Sequence, residues 1–158
     1  MQDIYLKAKE FKSKFPRTIA WRLQKHAAVV QKHLHDNEKV NYVFCGQKNV
    51  SSLMINKTCI VAITDERLVI GQKRLLWGYF FTTITPDQYN DFKVINNMIW
   101  SDILIDTLDE EVYLSNIDPN GAIDAQKHIT KFMMEEKKKY GKKDKLNICF
   151  SFFIVIYI

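Results

Sequence analysis

The first residues that could do chemistry are histidines and carboxylates near residue 35. His33, His35, Asp36 and Glu38 carry side chains of the types that bind divalent metals. The sequence predicts a helix up to His35, and residues two apart on a helix point in different directions. His33 and His35 would therefore not converge on one ion. We expect surface histidines here and no metal site.

The second candidate is a group of carboxylates between residues 102 and 111. Asp102 and Asp106 would share one face of a strand, but four residues along a strand span about 13 Å. That separation is too large for the two to share a proton or one ion. Asp109 and Glu110 are better explained as residues of a tight turn. With only five glycines and no P-loop, GxGxxG, GxSxG or HExxH motif, the chain is expected to have no catalysis and no cofactor.

A third candidate is a set of aromatic residues that could stack nucleic-acid bases. Such platforms combine aromatics with lysine and arginine on the same strands, yet Lys93 is the single basic residue between Gly78 and Asp102. We therefore expect these aromatics in the core and no nucleic-acid partner. They are Trp77, Tyr79, Phe80, Phe81, Tyr89, Phe92 and Trp100.

Composition indicates one globular domain, and its net positive charge lies at the two ends of the chain. The chain has 158 residues, 47% of them hydrophobic, and a net charge of +5. Residues 1 to 35 carry 8 basic and 2 acidic side chains, residues 36 to 126 carry 7 and 13, and residues 127 to 158 carry 8 and 3. No signal-peptide pattern is present, so a cytoplasmic location is expected. Cys45, Cys59 and Cys149 are expected to be reduced, buried thiols.

The elements that would position these residues begin with a helix. Ile19, Leu23, Ala27, Val30 and Leu34 recur every three or four residues, which predicts a helix from Thr18, its N-cap, to His35. Seven strands with two-residue alternation and turn signals follow. Their predicted ranges are Val40–Cys45, Cys59–Ile63, Leu68–Lys73, Tyr79–Thr85, Phe92–Ile95, Met98–Thr107 and Glu111–Ser115, with Gly46 permitting a bend.

A second helix is predicted after the strands. Asp118 can cap it, Pro119 suits its first turn, and a charged run should end or fray it at Gly141. Its apolar face would be Ala122, Ala125, Ile129, Phe132 and Met133.

The last 13 residues are almost entirely apolar and follow six lysines. As a helix they would span roughly 20 Å, short of the roughly 30 Å hydrocarbon core. Three interpretations stay open: an interfacial tail, an extra strand, or an altered terminus without a role. The lysines that could contact a membrane or another anion are Lys137, Lys138, Lys139, Lys142, Lys143 and Lys145.

Three stretches resemble a known family. ITDERLVIGQKRLLWGYF, TITPDQYNDFKV and MIWSDILIDTLDEEVYLSNID, within residues 39 to 140, are similar to the short bacterial pleckstrin-homology-like (PH-like) family. The resemblance implies a mostly β fold, a seven-stranded antiparallel barrel closed by a C-terminal helix, here with an extra N-terminal helix. It also implies a non-enzymatic module that binds proteins, lipids or itself. Phosphoinositide binding is not expected, because the first hairpin loop offers only Lys48 and Lys57.

These observations predict three regions and a function. Residues 1–36 would form a basic segment and helix, 37–141 the PH-like domain, and 142–158 a basic and then apolar tail. The expected function is interaction or self-assembly, with a homo-oligomer or another protein as partner. The alternative is a peripheral membrane protein that binds an anionic membrane surface through the C-terminal lysines and tail.

Overall fold

A seven-stranded antiparallel sheet forms the centre of the protein in a computed structural model, which describes residues 4–48 and 57–155. Side chains are described as far as Lys139, apart from Lys137. The number and order of the strands are as predicted, but β5 begins earlier and β6 begins later than expected. They are β1 (Val40–Gln47), β2 (Thr58–Thr64), β3 (Leu68–Lys73), β4 (Tyr79–Ile84), β5 (Tyr89–Asn96), β6 (Ser101–Thr107) and β7 (Glu111–Ile117).

The strand order is β4-β3-β2-β1-β7-β6-β5, so two meanders meet where β1 pairs with β7. That junction has one register pair, Gln47 with Ser115. Gly46 lies inside β1, which continues to Gln47, and a Cβ there would be 2.9 Å from Cγ1 of Ile117. Glycine is therefore needed for the close approach of β1 to β7. The expected barrel is not closed by hydrogen bonds, because β4 and β5 occupy the two ends of the order.

The third helix of the chain, α3 (Pro119–Val155), caps the sheet. Asp118 caps the helix as predicted, since its Oδ1 accepts a hydrogen bond from the Asn120 N–H at 3.1 Å. The helix continues past Gly141, so the prediction of an end there is wrong. One glycine costs a helix about 1 kcal/mol and does not have to end it. The predicted apolar face is buried: Ala122, Ala125, Ile129, Phe132 and Met133.

Two helices precede the sheet where one was expected. The additional helix, α1 (Ile4–Lys14), buries Ile4, Ala8 and Phe11, three residues spaced by four and three positions among lysines. It contacts β1 and the start of α3. The ring centroids of Phe11 and Phe44 are 6.1 Å apart, and a Cβ on Gly121 would lie 3.0 Å from Cζ of Phe11. α1 therefore adds to the core.

The predicted helix from Thr18 is α2 and covers only Leu23–His33. Thr18 does not cap it. Its buried hydroxyl accepts the Asp118 N–H at 3.0 Å, and the Ile19 N–H donates to Asn116 O at 2.9 Å. The residues before α2 are therefore tied to the end of β7, a long-range contact that local spacing does not reveal.

Helices on the outer face of the sheet explain why β2 is buried along its whole length. α2 packs so closely on β3 that a Cβ on Gly71 would be 2.5 Å from Cγ2 of Val30. The predicted alternation in β1 fails for the same reason, since all residues from Val43 to Gln47 are buried. Strands covered on both faces lose the two-residue pattern.

Candidate interaction surface

The histidines and carboxylates near residue 35 form an ion-pair cluster that differs from the set considered in the sequence. His35, Glu38 and Glu66 bring their ligand atoms within 4.8 Å of one another, whereas His33 and Asp36 stay outside this group. Arg67 already supplies the cation: its Nε lies 3.0 Å from Glu38 Oε1 and its Nη2 lies 2.9 Å from Oε2. Both oxygens of Glu38 are thus occupied by a guanidinium, which disfavours a metal at this cluster.

The ionisation of Glu38 agrees with this arrangement. Burial by itself would raise the pKa of Glu38, but hydrogen bonds from Arg67, the His35 backbone and Thr64 outweigh it and lower the pKa to about 2. Glu38 is therefore a carboxylate at neutral pH, and the cluster holds the β2–β3 turn to the end of α2.

A different histidine, His26 of α2, is buried. Its Nδ1 accepts a hydrogen bond from the Lys73 N–H at 2.9 Å, so the ring is a neutral acceptor. Burial and then the charge of Arg22 lower the pKa of His26 to about 4. His26 joins α2 to the end of β3.

Two further histidine rings stack on aromatic side chains of the sheet. His33 stacks on Phe81 with ring centroids 4.1 Å apart, and His128 stacks on Tyr42 at 3.9 Å. Both rings have packing roles.

The predicted buried thiols are confirmed for Cys45 and Cys59, which are free and buried. Burial raises the pKa of each thiol to about 12, so neither is a thiolate at neutral pH. The side chain of Cys149 lies outside the described residues.

Asp102 and the carboxylates of the β6–β7 turn have structural roles. Asp102 is buried, and its Oδ2 accepts hydrogen bonds from Asn97 Nδ2 and Tyr113 Oη, both at 3.0 Å. The predicted turn at Asp109 and Glu110 is confirmed, because the Glu110 N–H donates to the Thr107 hydroxyl at 3.0 Å. None of these groups converges on a shared proton.

The prediction that the aromatic set packs in the core is wrong for three of its seven members. Phe92 is buried, but Tyr79 and Phe80 are 42% and 46% exposed and Trp77 is 84% exposed. These residues lie on β4 or its approach, and β4 is an edge strand with one neighbour. At the margin of the sheet, β4 is covered less fully than β2, which is buried along its whole length.

The β3–β4 turn presents the largest run of exposed apolar side chains in the described residues. Leu75, Leu76 and Trp77, here called the hairpin tip, are 74%, 81% and 84% exposed. Gly78 has a φ of +73°, a conformation that glycine adopts without strain, and it returns the chain to β4. The tip thus projects from a well-formed hairpin.

Basic side chains line two cavities beside the β3–β4 hairpin. A cavity of about 400 Å³ on one side is lined by Lys48, Lys57, Lys73 and Arg74, together with Gln72, Leu75 and Phe80. A second cavity of about 310 Å³, between α2 and β4, is lined by Lys25 and Lys32 as well as Lys73. We call these six cations the basic rim: Lys25, Lys32, Lys48, Lys57, Lys73 and Arg74.

Sequence reasoning missed this surface because it assigned Trp77 and Tyr79 to the core. A usable signal was present: no aspartate or glutamate occurs between Glu38 and Asp65 or between Glu66 and Asp87. Residues 36 to 126 are otherwise acidic, but every charged side chain inside those two stretches is basic.

The predicted C-terminal lysines lie on α3. Lys138 and Lys139 are exposed, and Lys139 donates a hydrogen bond to Glu136. The backbones of Lys137, Lys142, Lys143 and Lys145 are helical, and their side chains lie outside the described part. Their proposed contact with a membrane stays a prediction. The interpretation of the tail as an extra strand is wrong as far as Val155, which is helical.

None of the helices in residues 4–48 and 57–155 is long and apolar enough to cross a bilayer.

Two antiparallel meanders joined at β1 and β7, with a C-terminal helix packed on them, define a PH-like fold. PH-like domains are in general binding modules without catalysis. A family model described as "Bacterial PH domain" matches residues 34–135. The chain belongs to this bacterial PH domain family.

Two solved structures are similar to this chain. One is a pleckstrin homology domain from Shewanella amazonensis SB2B, with 17% identity, 72% of this chain and 89% of that chain covered, and a TM-score of 0.46. The other is a DUF1696 family protein with a pleckstrin-homology domain from Shewanella loihica PV-4, with 16% identity, 72% and 98% covered, and a TM-score of 0.44. No curated protein matches the sequence.

Proposed function

We propose that the protein is a non-enzymatic interaction module that joins chains, most simply copies of itself, through the open edge of β4. The supporting observation is a difference between the two sheet edges. β4 reads YFFTTI and contains no charge and no proline. β5 contains Asp91 and Lys93 and has a register irregularity between Tyr89 and Asp91. Charges and bulges protect an edge strand from pairing with another chain, and β4 lacks both.

The hydrogen-bond pattern shows which groups of β4 would pair. The Arg74 N–H donates to Gly78 O at 3.2 Å, and the first register pair of the hairpin is Lys73 with Tyr79. Antiparallel ladders alternate, so the backbone groups of Tyr79, Phe81 and Thr83 face the open edge. A partner strand can add there without any change in the existing ladder.

Proline at position 83 tests this assignment. Thr83→Pro removes an outward N–H and leaves the β3–β4 ladder intact, so it should block strand addition at a small cost in stability. Val94→Pro is the matched control on β5. The Asn97 N–H donates to Trp100 O, so Asn97 and every second residue before it bond to β6. The backbone groups of Val94 therefore face the open edge of β5.

Light scattering gives the readout, on chains with residues 146–158 removed so that the apolar tail does not itself cause association. We expect an oligomer for the parent chain and for Val94→Pro, and a monomer for Thr83→Pro with a similar unfolding temperature. A parent chain that is a strict monomer and captures no protein partner would refute the proposal. An oligomer that survives Thr83→Pro would place the contact elsewhere.

The C-terminal lysines support a second proposal, attachment to an anionic membrane. Lys138 and Lys139 are exposed, and the apolar residues after them continue the same helix. Each lysine close to an anionic surface contributes about 1 kcal/mol, and apolar residues add insertion. Co-flotation with anionic vesicles, with and without residues 146–158, tests this role; equal flotation would contradict a role of the tail.

A further inference from the structure

We propose that two copies of the chain form a symmetric dimer in which the hairpin tip of each copy, Leu75 to Trp77, is seated in an acidic cavity at the end of β4 on the other copy. This inference rests on the proposed function, because it specifies the partner, the register and the side-chain contacts of a pair made along β4. Two tips and two cavities are used at once, as a two-fold axis requires.

The receiving cavity lies on the open side of β4. It has a volume of about 380 Å³, and its walls are the end of β4, at residues 82–84, and the β6–β7 turn with Asp109 and Glu110. β4 is the last strand at one end of the strand order, so its edge on this side is not paired with β5 or β6. A strand that is added to β4 would therefore run past this cavity.

The register of an antiparallel pair brings the tip to the cavity. The outward groups of β4 belong to Tyr79, Phe81 and Thr83, so a symmetric pair centred on Phe81 places Tyr79 opposite Thr83 of the second copy. Two residues further on, Trp77 falls opposite Thr85. A shift of the centre by one residue moves each partner by two positions, so the tip stays beside residues 83–89 of the other copy.

Charges on the two surfaces are complementary. Arg74 comes directly before the tip, and Asp109 and Glu110 line the cavity. None of these three forms an ion pair among the described side chains. Arg74 lies 4.0 Å from the Phe80 ring, a contact that orients the guanidinium and leaves its charge unneutralised. The antiparallel pair brings Arg74 of each copy towards the carboxylates of the other.

The apolar side chains of the tip supply the driving force. Each of the three is at least 74% exposed in the single chain. Burial of apolar surface is the dominant favourable contribution to most protein association, and the dimer covers three large side chains from each copy. The hydrogen bonds between the β4 strands then determine direction and register.

Two other arrangements fit less well. Copies placed tip to tip would bring two basic rims together, and like charges repel. An anionic lipid surface would use the apolar residues but would give no role to the acidic cavity or to the uncharged edge of β4. The antiparallel pair uses the tip, the cavity and the strand edge together.

Sedimentation velocity of the full chain over a series of concentrations tests the apolar contact. Thr83→Pro gives the baseline for association through any other surface. Leu75→Ser with Leu76→Ser should weaken the dimer by at least about tenfold, because four leucines lose their cover. Met98→Ser with Ile99→Ser, two exposed apolar residues at the β5–β6 turn, is the matched control and should leave the dimer unchanged.

A charge exchange tests the contact between the tip of one copy and the cavity of the other. Arg74→Glu and Glu110→Lys should each weaken the dimer by at least about tenfold, because each creates two contacts between like charges. An equimolar mixture of the two variants should restore the affinity of the parent chain, since both contacts then join opposite charges. Lys93→Glu, at an exposed position of β5, is the control for net charge and should have no effect.

Fluorescence reports the burial of the tip. The emission of Trp77 should shift to shorter wavelength as the concentration rises through the range of dimer formation. Trp77→Phe provides the blank that contains Trp21 and Trp100. This shift, the losses in the variants and the recovery in the mixture would support the inference.

The opposing results separate this inference from the proposed function. A dimer that Thr83→Pro abolishes, but that the Arg74, Glu110 and leucine variants leave unchanged, would overturn the tip contact and keep the β4 edge. Equal losses in the control variants, or a mixture that does not recover, would also overturn it. A parent chain that stays monomeric would overturn it, and one that also captures no protein partner would refute the proposed function. A Trp77 shift that appears with phosphatidylserine vesicles and not with protein concentration would assign the tip to lipid and overturn the dimer contact.

Discussion

Replacement of Arg67 with methionine tests whether the cluster around Glu38 is a structural ion pair. The Glu38 side chain is fully buried, and only 14% of the Arg67 side chain is exposed. Arg67→Met keeps most of the side-chain volume and leaves a carboxylate without its cation. Breaking a buried pair in this way costs about 3–5 kcal/mol. With a urea m-value of about 2 kcal/mol per molar, the unfolding midpoint should fall by about 1.5–2.5 M.

The pH dependence reports a related free energy, to which the hydrogen bonds from the His35 backbone and Thr64 also contribute. The pKa of Glu38 falls from an ordinary value of 4.5 to about 2 in the folded protein. Because the folded pKa is the lower one, the stabilisation is complete above about pH 4.5 and is lost as the pH falls towards 2. A difference of about 2.5 units corresponds to roughly 3 kcal/mol. The gap in stability between the parent chain and Arg67→Met should therefore narrow between pH 5 and pH 2.5.

Urea titrations followed by tryptophan fluorescence at pH 7, 5, 4 and 3 measure this gap. Glu66→Gln is the control, because Glu66 is half exposed and its contact with His35 should contribute less than about 1 kcal/mol. A loss below 1 kcal/mol in Arg67→Met, or a gap that does not change with pH, would refute the structural role. A midpoint that rises when Zn²⁺ is added to the parent chain would show that the cluster binds metal.

Three further predictions concern the packing of the sheet. His26 has a pKa of about 4 in the folded protein. Between about pH 6.5 and 4 only the unfolded chain takes up the proton, so the free energy of unfolding should decrease as the pH falls through this range. His26→Asn should reduce this pH dependence in urea titrations. Gly71→Ala should lower stability by about 1–3 kcal/mol, because its Cβ would meet α2, whereas Gly78→Ala should cost only about 1 kcal/mol. Cys45 and Cys59 should react with Ellman's reagent in the native protein only as fast as it unfolds, since both thiols are buried.

Much of the fold could be predicted because local chemistry determined it. β3 has the predicted bounds, Leu68–Lys73, since turn residues delimit it on both sides. The cap at Asp118 and the apolar face of α3 depend on residues within a few positions of one another. Such features need no knowledge of distant contacts.

The features that were missed depend on distant contacts or on position in the sheet. Glu38 and Arg67 are 29 residues apart, and their pairing follows from the turns that bring α2 and β3 together. α1 was overlooked because the lysines between its apolar residues are typical of a solvent-exposed N-terminal segment without a helix. Tyr79 and Phe80 have strong strand propensity, but propensity does not distinguish an edge strand from a central one.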